Sequence, residues 1–237
     1  MKLFYDLHMH SCLSPCGGDD MSPANLAAMC ALAGLQVVAL TDHNSVGNCR
    51  SFCAAAQARG LLALPGMELS TVEEVHVICL FPDFKSADGF GAFVDGKTAP
   101  WQENNRKIFG PQLLMDDKDT VLGEDPRFLA GASGVGIYEV SPAVKRFGGV
   151  CYPAHIDRPS FSLLSNLGLW DPAMGFPLAE VSRQCPPNLF ERPDLRGVRH
   201  ITDSDAHYLD QIPDALQLMN PASRTTEGVL RWLDPSY

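Results

Sequence analysis

Seven histidines occur in the chain, and six of them stand at a strand-like run's end, most beside a carboxylate. His8 and His10 are two apart in YDLHMHSCLSPC, Asp42 and His43 close VVALTDH, and Glu68 lies in PGMELS. His76 opens HVICLF, His155 closes VCYPAH, and Asp205 and His207 are again two apart in SDAH. In a strand, residues i and i+2 project from one face, about 6.5–7 Å apart. On a helix the same spacing points the side chains apart. Any one of these residues alone is as well explained by capping or hydrogen bonding. Gathered at one sheet face, imidazoles and carboxylates desolvate and repel badly unless a cation holds them. Mixed nitrogen and oxygen donors suit Zn²⁺, Mn²⁺ or Fe²⁺ without selecting among them. The candidates outnumber the four ligands of one tetrahedral ion, so two or three ions and a hydrolytic site are expected.

Cys12 and Cys16 follow the first histidine pair and raise the alternative of a His/Cys zinc cluster. Eight cysteines with no CxxC pair and no secretory leader read instead as reduced, mostly buried thiols. Cys12 is assigned to packing.

The elements that would position these residues alternate. Leu3 to Leu7 reads as a strand, Ser22-Pro23 opens the helix ANLAAMCALAG, and LQVVALTD has the unbroken apolar character of a strand buried on both faces. SFCAAAQARG is a second helix, followed by strands LLALPGMELS and VHVICLF. The rhythm returns in SPAVKRFGG, VCYPAH, FPLAEVS, VRHITDSDAH and the closing helix TTEGVLRWL. About seven strands alternating with helices imply βα units and a parallel sheet, whose strand C-terminal ends are where sites form. Residues 82–136 form an irregular insertion in one domain spanning 1–237. In it WQENNRKIFGPQLLM is compatible with a helix, and acidic DDKDTVLGEDP reads as a solvated loop.

With 46% hydrophobic residues the 237-residue chain can bury one sizeable core. A net charge of −10, from 28 acidic and 18 basic residues, argues against stable nucleic-acid binding, which relies on basic patches. No apolar window approaches the roughly 18 residues of a membrane span, so a cytoplasmic protein without membrane contact is expected.

In their order these motifs resemble the PHP (polymerase and histidinol phosphatase) family: HMH, TDH, GMELS with His76 following, PAH and SDAH, from residue 5 to 207. The resemblance implies a distorted (β/α)7 barrel, TIM-barrel-like, holding up to three metals. It places His8, His10, Glu68 and Asp205 on one ion, and Glu68, His76 and His155 on a second. It places His43 and His207 on a third, with one more ligand from the loop after the first motif. That loop departs from the family: SPCGGDD stands where SDG is common, and Pro15 takes the aspartate's place. Asp20, or its neighbour Asp19, is the expected substitute, with the Cys16 thiolate as the softer alternative.

The resulting expectation is a metal-dependent phosphoesterase acting on a small phosphorylated substrate through metal-activated water. Arg158 is the candidate phosphate clamp, against the alternative of an ion pair with Asp157; Arg106 and Lys107 are weaker candidates. No side chain is assigned as general acid, and Asp205 and His207 are the nearest catalytic candidates. The rival readings are an exonuclease acting on nucleic-acid ends and a non-catalytic metal-binding regulatory domain.

Overall fold

Val37 to Leu40 is fully buried along its whole length, which requires a strand on each edge and cover on both faces. In the computed structural model, which describes residues 1–215 and 217–237, it is the second strand of a curled sheet. In chain order the elements are β1 (Leu3–Asp6), α1 (Pro23–Leu32), β2 (Val37–Leu40), α2 (Cys49–Gln57), β3 (Leu62–Ser70), β4 (His76–Leu80) and α3 (Phe84–Thr98). There follow α4 (Arg106–Phe109), β5 (Leu113–Met115), β6 (Val121–Glu124), α5 (Ile137–Arg146), β7 (Val150–Pro153) and α6 (Leu163–Asn166). The chain ends with β8 (Ala179–Glu180), β9 (His200–Ile201), β10 (Leu218–Met219) and α7 (Thr226–Leu233).

The main sheet has the order β10-β1-β2-β3-β4-β7. β8 and β9 form a parallel pair, which backbone bonds join to both neighbours. Ile156 N–H donates to the Glu180 carbonyl, and Asp205 N–H to the His8 carbonyl, each at 2.9 Å. The circuit β1-β2-β3-β4-β7-β8-β9 therefore closes a distorted α/β barrel. Its strand directions differ from the all-parallel expectation. β1, β2 and β3 are parallel, but β4 is antiparallel to both β3 and β7. Only residues 71–75 join β3 to β4, too few for a crossover, so the chain must turn back. That reversal explains why His76, at the start of its strand, lies at the same end of the barrel as Ser70, its register partner.

Strand alternation sorts the apolar side chains. Leu3, Tyr5, Val37, Ala39, Ile78 and Leu80 fill the barrel interior, while Val38 and Leu40 pack outward on α1 and α2. Val77 and Cys79 pack outward with residues of α3 and α5. The helix α1 starts as the sequence implies, with Pro23 in its first turn and the Ser22 hydroxyl accepting from Asn25 N–H. Gly66 of β3 is required by close approach: a Cβ there would lie 2.8 Å from Leu80 Cδ2 and 2.9 Å from Thr41 Cγ2.

The insertion is more regular than expected. Its start is the 15-residue helix α3, capped by Asp83, and DDKDTVLGEDP forms part of the β5-β6 hairpin rather than a loop. Only Arg106–Phe109 of WQENNRKIFGPQLLM is helical. No helix among the described residues is long and apolar enough to cross a membrane.

Candidate metal centre

The ladder of β1 ends at Asp6, and beyond it the alternation slips: Leu7 faces the interior, Met9 packs outward with Leu40, and His8 and His10 turn inward. Both histidines are completely buried. Their Nε2 atoms lie 3.2 Å apart. His8 Nε2 is 3.1 Å from Asp205 Oδ1 and 3.3 Å from Glu68 Oε1, and His10 Nε2 is 3.0 Å from Asp205 Oδ1 and 3.2 Å from Glu68 Oε2. Four ligands held 2.0–2.2 Å from a tetrahedral ion would be about 3.3–3.6 Å apart, so this quartet is already close to the spacing an ion imposes.

Glu68 also faces a second set. His76 Nδ1 is 2.9 Å from its Oε1, and His155 Nε2 is 3.2 Å from the same oxygen. His43 Nδ1 is 2.9 Å from Glu68 Oε2, yet neither atom has a hydrogen-bond partner. Two buried polar atoms in contact without a hydrogen bond are a pair that a shared cation would satisfy. His10, His43 and His207 form a further group whose ring nitrogens lie within 4.8 Å of one another. This donor set consists of imidazole nitrogen and carboxylate oxygen, and divalent ions fit it.

The electrostatics agree. Burial disfavours the charged form of His8, but Asp205, Glu180 and Glu68 outweigh it and hold its pKa well above the usual imidazole range. His10 and His43 are also raised against burial, each to about 9, His10 by Asp205 and Glu68 and His43 chiefly by Glu68. Glu68 and Asp205 are held well below the carboxylate range despite burial, by the histidines around them. His207 is pressed down to about 3 by burial and by His10, and His76 is lowered by burial.

Orientation comes from residues with no metal-type signature in the sequence. His8 Nδ1 is 2.9 Å from Glu180 Oε2, at the end of β8. His10 Nδ1 donates to Ser14 Oγ at 3.0 Å, and that hydroxyl donates to Asp42 Oδ1 at 2.7 Å. Such partners fix the tautomer and leave each Nε2 free as a ligand. Asp42, conspicuous in TDH, thus holds Ser11 and Ser14 and points away from the cluster. Glu180 had only one sequence signal, its place at a strand end in FPLAEVS.

The His155 and Asp205 backbones lie in the left-handed region, with φ of 30° and 51°. Each such residue costs on the order of 1–3 kcal/mol, and such strain collects at functional sites. Neither is in a strand: β7 stops at Pro153, and β9 stops at Ile201. SDAH is held to the segment that follows β1 by the isolated bridge between Met9 and Ala206, and Asp205 and His207 still reach the same mouth.

The remaining expected residues divide. Arg158 lines the mouth and ion-pairs with Asp205, while Asp157 instead binds Ser182 N–H and Oγ. Asp19 and Asp20 are exposed and, like Cys16, belong to none of the ligand groups found among the described residues. Cys16, four residues before Asp20, lines the mouth with His43 and His207. Arg106 pairs with Glu124 on the exposed α4, and Lys107 is exposed beside it. Cys12 packs on Met115 sulfur, and all eight cysteines are free.

Comparisons with known proteins follow this geometry. Residues 6–129 match the PHP domain. No curated protein matches the sequence. The structure resembles the lesion-specific endonuclease of Pyrococcus furiosus, with a TM-score of 0.72 and 16% identity over 100% of this chain and 57% of that one. It also resembles endonuclease Q in complex with a 27-mer duplex substrate bearing an abasic lesion at the active site, with a TM-score of 0.70, 16% identity, and coverage of 98% of this chain and 56% of that one. A Bifidobacterium adolescentis protein named as a metal-dependent phosphoesterase gives a TM-score of 0.63 at 20% identity, covering 96% and 95% of the two chains. The chain thus spans little more than half the length of the two endonucleases. The expectation that nucleic-acid binding is excluded does not survive this finding, since the fold occurs in an endonuclease holding duplex DNA at its active site. Net charge averages the whole surface, and it does not report the potential at a mouth that bears arginine and can hold cations.

Proposed function

The chain belongs to the PHP domain family, and on that premise we propose that it is a metal-dependent hydrolase of phosphoester bonds. The observation that carries the reading is Glu68, one buried carboxylate within 3.3 Å of ring nitrogens from His8, His10, His43, His76 and His155. A carboxylate so shared is suited to bridging neighbouring ions. His8, His10, Glu68 and Asp205 would hold one ion, and Glu68, His76 and His155 another. When bound, the ions supply an activated water and neutralise charge on the phosphoryl oxygens.

The side chains then divide the remaining work. The Arg158 guanidinium sits at the mouth with its side chain 41% exposed, so part of its planar fork is open to phosphate oxygens while it stays paired with Asp205. In the metal-free protein Asp205 is held ionised and His207 neutral, so neither is poised to donate a proton to the leaving oxygen. Phe161 stacks on His76 at 5.0 Å between centroids and gives the mouth an apolar wall.

The mouth encloses about 270 Å³, enough for a phosphoryl group and one compact substituent. This favours a small phosphorylated substrate. A second reading, cleavage of a nucleic-acid phosphodiester, draws on the likeness of this chain to a little over half of each endonuclease. It also draws on a neighbouring cleft of about 450 Å³ that carries Arg158 and Arg183. The test is a parallel screen of phosphomonoesters, phosphodiesters, and single-stranded and abasic duplex oligonucleotides with Mn²⁺, Zn²⁺ and Fe²⁺. Hydrolysis that disappears in the His8→Ala, His155→Ala double variant is the expected result. Metal-loaded protein that cleaves no phosphoester would sink the reading, and cleavage of oligonucleotides alone would select the second form.

A further inference from the structure

The rim of the mouth lacks a donor unless Cys16 supplies it. His10 belongs to both the inner quartet and the rim group, but it has only one nitrogen to give. Its Nδ1 is occupied by Ser14, and its Nε2 is committed between Asp205 and Glu68. The rim is then left with two imidazoles. His43 turns Nδ1 toward Glu68 at 2.9 Å, which leaves Nε2 on the opposite edge of a ring only 6% exposed. His207 donates from Nδ1 to the Asp205 carbonyl at 2.8 Å, which fixes the tautomer whose Nε2 carries a lone pair. Both rings are thus prepared as ligands, and a metal site keeps at least three protein donors.

The loop that follows the first histidine pair brings one more donor to this place. Gly17 N–H bonds the Ser14 carbonyl and Gly18 N–H bonds the His207 carbonyl, each at 2.9 Å, so the Cys16 loop is tied to the His207 backbone. A Cβ on Gly17 would lie 2.3 Å from the Ser11 carbonyl oxygen, so this turn requires glycine. Cys16 lines the same cavity as His43 and His207.

We propose that the Cys16 thiolate completes a rim metal site with His43 and His207, and that this site prefers zinc to hard ions such as Mn²⁺ and Mg²⁺. The assignment rests on the metal-dependent reading of the mouth. A metal–sulfur bond forms as the thiol proton passes to solvent, and the fourth position stays open toward the cavity. Two imidazoles and a thiolate suit zinc, whereas the inner carboxylate-rich groups accept harder ions as well. The two parts of one mouth would therefore differ in metal preference.

Cobalt substitution of the full chain tests this. Wild type, Cys16→Ser and Cys185→Ser are loaded with Co²⁺, and near-ultraviolet sulfur-to-cobalt charge transfer is recorded. Zinc content is measured on parallel samples. The expected result is a charge-transfer band in wild type and Cys185→Ser that is lost in Cys16→Ser, with loss of about one zinc equivalent. A band that persists in Cys16→Ser overturns the assignment, and so does its absence from metal-loaded wild type. Wild type that binds no metal would instead overturn the metal-dependent reading of the whole mouth, and this assignment with it.

Discussion

At the floor of the mouth, His8, His10 and Glu68 are at most 1% exposed, and both histidines have Nδ1 taken by a protein partner. At the rim, Cys16 is exposed and the His207 side chain is 21% exposed. The floor is built like a core: its orientation comes from the hydrogen bonds of Glu180, Ser14 and Asp42, all buried. The rim is assembled from two loops, one carrying Cys16 and one carrying His207, tied by a single backbone bond through Gly18. The difference locates rigidity at the floor and adaptability at the rim. A hydrolytic site of this kind needs both, since the ligands of the bridging pair must not move while substrate has to enter past the rim.

The largest break in that comparison is Glu68→Ala. It removes the one group facing both inner sets and leaves several histidines without their carboxylate. Metal content should fall, and phosphoester hydrolysis should drop on the order of 10³-fold or more, the upper end for loss of one electrostatic stabiliser. Elemental analysis beside kcat/KM checks both. A variant with full metal content would show that Glu68 is not the shared ligand.

Next in size is Glu180→Gln, which touches the floor without touching an ion. It keeps the shape but loses the carboxylate that orients His8 Nδ1. Loss of a group that orients a metal-binding histidine without touching the ion costs about 10–100-fold in metal affinity or activity. Competition with a chromogenic chelator measures the affinity. If the floor is as rigid as its hydrogen bonds imply, the loss should appear in affinity, with the fold intact by circular dichroism.

Glu180 also shows where the sequence stops being legible. The ligand pattern could be read because HMH, TDH and SDAH bring their residue types together locally. Glu180 lies 172 positions from the histidine it orients, in a strand of two residues, and no local spacing announces it. The helix α3 is hidden for a different reason. Its sequence FKSADGFGAFVDGKT holds three glycines, each costing about 1 kcal/mol in a helix interior, which the Asp83 cap and the packing of Ala87, Phe90 and Val94 in the core offset. The all-parallel expectation failed at residues 71–75 because periodicity records burial and not strand direction. At the loop the sequence offers two donor types: Asp20 matches the harder one, whereas Cys16, before the turn at Gly17, lines the mouth.

pH sharpens the contrast through the floor. His10, raised to about 9 from 6.5, stabilises the metal-free fold fully below pH 6.5, and that contribution is lost as pH rises through about 9. Glu68 and Asp205 are depressed, so their contribution is present above their ordinary pKa values of about 4.5 and 3.8 and is lost as pH falls through the lower folded values. Metal-free protein should therefore gain most from this cluster between about pH 5 and 6.5. A divalent ion needs neutral imidazoles, so binding must expel these protons, and metal affinity should rise from pH 6.5 toward 9. Calorimetric titration of Zn²⁺ in buffers of differing ionisation enthalpy should show net proton release at pH 7.5. Release of no protons would mean that the histidines are already neutral in the metal-free protein.

The smallest expected effect is Asp20→Ala, and it separates the two ends of one loop. Asp20 is exposed and belongs to no ligand group, so its loss should change metal content and kcat/KM by less than about twofold and stability by no more than about 0.5 kcal/mol. Its carbonyl accepts from the Asn25 side chain, and the substitution leaves that backbone contact in place. The variant is informative because Asp20 is the residue that donor hardness would choose, whereas the fold presents Cys16. Equal metal content in Asp20→Ala and wild type, measured beside Cys16→Ser, would place the loop's contribution at the cysteine. Loss of a metal equivalent in Asp20→Ala would mean that the loop rearranges on binding to bring the carboxylate in, and that the rim is adaptable enough to exchange its donor.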